Sequence, residues 1–266
     1  MICNEMHEII AAKIAEIEHR ENVKVLHAVE SGSRAWGFAS PDSDYDVRFI
    51  YLRPKEFYLR LEKTRDVIEW QLDETLDING WDLQKALRLL HNSNPTLFEW
   101  NNSPIVYHTT STWSAVRAEI NSYFSAKPGL YHYLNTASGN YREYLKGDVV
   151  KLKKYFYVVR PLLACKWILR YGSPPPMLFT ELADAVLEAE MKPIIDDLLR
   201  LKMCTPEMGE GARIAPLNDY IDKSLVSLKG LVEDLPNAHK ADWNRLNELF
   251  LAALGTIIPG EKPNDP

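Results

Sequence analysis

Two apolar runs, joined through a glycine turn and a pair of alternating acids, constrain this fold more than any other part of the chain. Val23-Lys24-Val25-Leu26-His27-Ala28-Val29 reads as a strand and leads straight into Ser31-Gly32-Ser33. A second strand is expected from Tyr45 to about Leu52, closed by Pro54, which cannot donate to a ladder. Side chains two apart on a strand share a face, so Asp44 and Asp46 project together while Tyr45 and Val47 turn away.

The rest of the first half supplies a small sheet and its cover. Asn4 to His19 reads as an amphipathic helix with Ile9, Ile10, Ile14 and Ile17 near one face. Asp66 to Gln71 and Leu76-Asp77-Ile78-Asn79 are further strand candidates, with a turn over Leu72 to Glu74. Asp82 is placed to cap a helix whose face is Leu83, Ala86, Leu87 and Leu90. Asn94-Pro95 breaks that helix and opens a short one, Thr96 to Trp100, before an extended segment from Ser103 to Tyr107. These pieces suit a small mixed or largely antiparallel sheet with helices against one face.

From about Thr112 the strand signals nearly vanish. Helices are expected over Trp113–Phe124, Leu130–Leu145, Val149–Leu169, Thr180–Glu188, Lys192–Met203, Asn218–Glu233 and Asp242–Leu254. Ser173-Pro174-Pro175-Pro176 is a stiff connector. The expected fold class is therefore α+β, a sheet with flanking helices over residues 1–110 followed by an all-helical domain over 111–258. Residues 259–266 read as a frayed tail.

Composition removes several classes of function. A net charge of −6 on 266 residues is no nucleic-acid glove, so such binding would need a local basic patch. Cys3, Cys165 and Cys204 are far apart and odd in number, which argues against a zinc site or a disulfide framework. The N-terminal segment carries acids and no uninterrupted apolar segment, so no signal peptide is expected, and no stretch reaches the roughly 20 apolar residues of a membrane span. A cytoplasmic protein, not membrane-bound, is expected.

The chemistry lies in Gly32 to Arg48. Two carboxylates on one strand face are what Mg²⁺ takes when a triphosphate supplies its other ligands. Gly32 lets the backbone approach a phosphate, Ser33 adds a hydroxyl and an amide, and Arg34 and Arg48 can balance negative charge. A third carboxylate would allow two metals to serve the attacking and leaving oxygens. Asp77, flanked by Leu76 and Ile78, is the first choice, with Asp82 and Glu69 as rivals. Other metal motifs fail: an EF-hand loop from Asp42 would need Gly and Glu where Val47 and Arg53 stand, and no P-loop GxxxxGK[ST] is present. In the second half Lys153, Tyr157 and Arg160 share a helical face, beside Lys154. That face could meet phosphates and a base, or could be a core helix with snorkelling basic ends. Trp36 can line the cleft or pack. His27 and Trp81, Trp100, Trp113, Trp167 and Trp243 read as structural.

The ordered set of strand, Gly-Ser, Asp44-x-Asp46 and later h-Asp77-h resembles the DNA polymerase β superfamily of nucleotidyltransferases, with its hG[GS], [DE]h[DE]h and h[DE]h signature. The wording Gly32-Ser33-Arg34-Ala35-Trp36-Gly37 with Ser43-Asp44-Tyr45-Asp46-Val47-Arg48 is similar to its RlaP-type branch, linked to RNA repair. Gly80-Trp81-Asp82-Leu83, Asn94-Pro95-Thr96 with Glu99-Trp100, Ser103-Pro104-Ile105-Val106-Tyr107, and Lys153-Lys154-Tyr155 with Arg160-Pro161-Leu162-Leu163 extend the likeness over about Ala28 to Tyr171. The resemblance implies Mg²⁺-dependent transfer of NMP from an NTP, with two ions, and a helical domain completing the cleft. It puts Gly32 and Ser33 on the triphosphate, Asp44, Asp46 and Asp77 on metal, and Lys153 or Lys154 and Arg160 near the nucleotide. The acceptor stays open among an RNA end, a protein side chain and a small molecule. The alternative is a catalytically silent module that binds a nucleotide or a partner. Oligomeric state is not legible in the sequence.

Overall fold

The structure is a computed structural model that describes residues 4–72, 75–205, 208–233, 235 and 242–255. Part of the expected turn at Leu72–Glu74 and the tail 259–266 lie outside the described residues. In the first half, α1 (Asn4–Glu21) precedes β1 (Lys24–Glu30), a single helical turn α2 (Gly32–Ala35) and β2 (Tyr45–Leu52). Then come α3 (Lys55–Tyr58), β3 (Val67–Leu72), β4 (Leu76–Asp82), α4 (Leu83–His91), α5 (Pro95–Asn101) and β5 (Val106–Thr109). The second half runs α6 (Ser111–Ile120), α7 (Ala126–Tyr144), β6 (Val149–Lys151), α8 (Lys154–Tyr171) and α9 (Phe179–Val186). It ends with α10 (Lys192–Cys204), β7 (Glu210–Ala212), α11 (Ala215–Glu233) and α12 (Trp243–Gly255).

The fold is α+β. Five strands form one mixed sheet in the order β3-β4-β2-β1-β5, with β2 and β4 parallel and the other neighbours antiparallel. Helices cover both of its faces, not one. β2 explains why: Val47, Phe49 and Tyr51 on one side and Ile50 and Leu52 on the other are all buried, so neither face can meet water. Ile10, Ile14 and Ile17 of α1 cover the first face, while Ile9 falls off the apolar stripe and is exposed. Leu83, Ala86, Leu87 and Leu90 of α4 cover the second, with α5, α6 and α12. α12 thus returns to the sheet-bearing half: Leu246, Leu249, Ala253 and Leu254 pack among residues of α4 and α6.

Helix ends follow local chemistry. The Asp82 carboxylate accepts from Gln84 N at 2.7 Å to start α4, and Asn94 accepts from Thr96 N at 3.0 Å to start α5 behind Pro95. The helix expected from Val149 begins only at Lys154. β-Branched Val149 and Val150 instead pair with the segment after Gly209, making a two-stranded ribbon, β6–β7, within the otherwise helical second half.

A second core gathers α7, α8, α9, α10 and α11. Phe38, from the loop between α2 and β2, is buried in it, with ring centroids 4.8 Å from Phe156 and 5.5 Å from Phe179. Phe179 N donates to the Trp36 carbonyl at 2.9 Å. The loop carrying the acids is therefore anchored at its middle to the helical half.

Candidate active site

The β1–α2 turn and β2 meet at Gly32. Its φ is +58°, a conformation that costs an L side chain about 1–2 kcal/mol. A Cβ built there would stand 2.0 Å from Asp46 Oδ2. Glycine is required on both counts. Ser31 N donates to the Asp46 carbonyl at 2.8 Å, fixing the turn against the strand.

The acids occupy one end of one sheet face. Asp46, Arg48, Ile50 and Leu52 alternate along β2, and the last two are in the core under α4. The polar end is continued by β4, where Asp46 is in register with Asp77. Leu76 and Ile78 are buried, while the Asp77 side chain is 29% exposed. Arg48 lies between the two acids, its Nη2 2.9 Å from Asp46 Oδ1 and 2.7 Å from Asp77 Oδ2. Burial pushes the Asp46 carboxyl up; the Arg48 charge opposes this, and Asp44 and Asp77 reinforce it.

The rival carboxylates are engaged elsewhere. Asp82 is buried, capping α4 and accepting from Tyr58 Oη at 2.7 Å. Glu69 is on the surface, paired with Arg65 at 2.6 Å.

Around the turn, Ser33 Oγ donates to Ser43 Oγ at 3.2 Å, and Ser43 Oγ accepts from Ser40 N at 2.9 Å. Arg34 is not aimed at open solvent. Its guanidinium donates to the carbonyls of Ser43 and Asp44 and lies 3.7 Å from the Tyr45 ring centroid, bracing the loop before the acids. Further positive charge near the loop comes from the helical half. Lys202 of α10, 7% exposed, donates to Ser40 Oγ at 3.0 Å. Burial lowers its pKa, the charges of Asp42 and Asp44 oppose this, and Lys153 adds to it. Lys202 therefore shares a field with Lys153 and Asp44. Nothing in the amphipathic pattern of α10 marks it, since it sits on the buried side like a core residue.

α8 supplies the opposite wall. Burial raises the Tyr157 hydroxyl pKa, and the Asp46 and Asp44 charges add to it. Its ring meets Trp36 edge-on at 5.6 Å, which makes Trp36 a wall residue. Lys154 lies 4.0 Å from the Tyr144 ring centroid and 4.8 Å from that of Tyr157, held beside the site by cation–π contacts. Arg160 is the exception among the expected nucleotide contacts. Its side chain is 4% exposed and paired with Glu99 Oε1 at 2.8 Å, under the Trp36 ring. Tyr133 Oη donates to the same Glu99 oxygen at 2.9 Å. Arg160 ties α8 to α5 and α7 and does not reach the cleft.

Sequence reasoning also missed Glu30. It is fully buried at the end of β1, accepting from Asp46 N at 2.8 Å and from the Tyr107 hydroxyl. Burial pushes its carboxyl up to about 7, against the lowering effect of those two hydrogen bonds. Its one signal was an acid ending an apolar strand. His27, by contrast, is structural as expected: it stacks on Trp113 at 5.0 Å, and burial lowers its pKa to about 4.

Asp44 and Asp46 are the carboxylates that would hold a divalent cation. Among the described residues no three His, Cys, Asp or Glu side chains gather closely enough to hold an ion, and Asp77 faces Arg48. The described residues also contain no helix long and apolar enough to cross a membrane.

A left-handed glycine thus packs on Asp46 at the polar end of a mixed sheet walled by helices. The family model described as RlaP, "RNA repair pathway DNA polymerase beta family", matches residues 6–252, and the chain belongs to that family. It is 44% identical over 248 residues to the uncharacterized protein YcgL of Bacillus subtilis (strain 168), covering 92% of this chain and 95% of that one. Among solved structures, a nucleotidyltransferase-like protein from Exiguobacterium sibiricum 255-15 aligns over 94% of this chain and 89% of its own, at 14% identity and a TM-score of 0.31.

Proposed function

We propose that this protein transfers a nucleoside monophosphate from an NTP to an acceptor, releasing pyrophosphate. The observation that carries the reading is Gly32 packed on Asp46, which sets a phosphate-sized turn against a carboxylate of β2, with Asp44 two residues before it. Gly32 and Ser33 would receive the triphosphate, and Lys202 and Lys153 would supply positive charge from the helical side. Asp44 and Asp46 would hold Mg²⁺, which when bound neutralises the triphosphate. Trp36 and Tyr157 offer aromatic faces beside the acids, suited to a base. The acceptor oxygen attacks the α-phosphorus in line, and the bond to the β-phosphate oxygen breaks. The family's name supports an RNA acceptor over a protein or small molecule.

The test is incubation with each α-labelled NTP, Mg²⁺ and cellular RNA. Wild-type protein labels RNA, and Asp44→Asn or Asp46→Asn lowers labelling by about a thousandfold or more while circular dichroism is unchanged. Full activity in the double variant would sink the reading. Bound ATP without any pyrophosphate release would instead support a silent nucleotide-binding module.

A further inference from the structure

The third carboxylate of the site already has a cation, and that cation belongs to the chain. Arg48 follows Asp46 by two residues, so both side chains leave β2 on one face. Register places Asp77 directly across from Asp46 on the neighbouring strand, about 4.8 Å away along the hydrogen-bonding direction. Two carboxylates so placed raise each other's cost of ionisation unless a positive charge stands between them. Arg48 stands there. Besides its contacts to both carboxylates, its Nη1 donates to the Asp77 carbonyl at 2.8 Å and the Val47 carbonyl at 3.1 Å. Two of its nitrogens thus make four bonds spanning both strands, and its side chain is only 18% exposed. A planar guanidinium can hold this pattern; an ammonium cannot.

We propose that Arg48 is the fixed cation of the nucleotide site, standing where a second divalent ion would otherwise neutralise Asp46 and Asp77. The NTP then enters with one divalent ion, on Asp44 and Asp46. Asp77 is a positioning residue that anchors Arg48, not a metal ligand and not the base. This rests on the nucleotidyltransferase reading and defines how that site meets its nucleotide. Arginine carries charge but takes no proton. As the acceptor oxygen bonds to the α-phosphorus, its proton passes to water, and pyrophosphate leaves with the electron pair of the broken P–O bond.

The experiment titrates Mn²⁺ into the full chain with α,β-methylene-ATP, following nucleotide binding by calorimetry and the ion by electron paramagnetic resonance. The wild type should show one ion with the spectrum of an isolated Mn²⁺, and Asp77→Asn should keep that count. Arg48→Met should admit a second, coupled ion, and tighten nucleotide-free Mn²⁺ binding about tenfold, since Asp46 and Asp77 lose their counter-charge. Arg48→Lys should not restore the wild-type pattern. A coupled pair of ions in the wild type that becomes single in Asp77→Asn overturns the proposal. So does an Arg48→Met variant with unchanged ion count and affinity. If the wild type binds the analogue in neither form of the assay, the nucleotidyltransferase reading itself fails, and the missing heat of nucleotide binding separates that result from the others.

Discussion

Arg48 and Arg160 looked interchangeable as basic residues near a nucleotide, and each is paired with a carboxylate, yet they do opposite work. Arg48 lies at the polar end of the sheet, between two acids that the strand register brings face to face. Arg160 lies inside the helical half, where Glu99, Tyr133 and Trp36 enclose it. On a strand the side-chain direction follows from spacing, so Arg48 had to share the face of Asp46. On a helix buried nearly all round, spacing groups residues without saying which group meets solvent. Tyr157 and Arg160 do meet one ring, that of Trp36, but Arg160 was swallowed by the core.

The comparison breaks most visibly on stability. Arg160→Ala leaves Glu99 and Tyr133 without their cation and should cost about 3–5 kcal/mol, read by urea unfolding. A variant of wild-type stability whose only defect was a raised KM for NTP would move Arg160 back into the cleft.

The sheet end can be sharpened by pH, because β1 buries two titrating groups of opposite sense. His27, lowered to about 4 from an ordinary value near 6.5, binds more protons when unfolded, so its contribution is lost as pH falls through that window, up to about 3 kcal/mol. Glu30, raised to about 7 from 4.5, binds more protons when folded, so its contribution falls as pH rises from 4.5 to 7. The two offset each other between pH 4.5 and 6.5. In Glu30→Gln the His27 slope should emerge, stability dropping on acidification across that range; an unchanged pH profile would refute the assignment of Glu30.

The smallest effect joins the two regions. Lys202→Met should weaken NTP binding about tenfold, roughly 1.4 kcal/mol, without the unfolding expected of Arg160→Ala. Calorimetry with the NTP analogue checks it, and unaltered affinity would confine Lys202 to bracing Ser40.

Much of the fold was legible because it is local. The run Tyr45 to Leu52 is β2 from end to end, and Asp82 caps α4 as its position before an apolar helical face required. The α+β class followed from where strand periodicity stopped. Less legible were features set by contacts between distant segments. Val149 and Val150 became a strand because Glu210–Ala212 lay beside them, and α12 returned to α4 and α6 because its apolar face matched theirs.

The site divides in the same way. By itself the sequence determined that Asp46 and Arg48 share a face of β2, since strand alternation acts over a few residues. Tertiary structure alone decided that Asp77 would sit opposite Asp46 with Arg48 between them, that Glu30 would be buried behind the acids, and that Lys202 would arrive from α10. The physical reason is range: dihedral preferences are written residue by residue, whereas the partner of a buried charge is fixed only when the sheet register and the packing of α10 bring distant residues together.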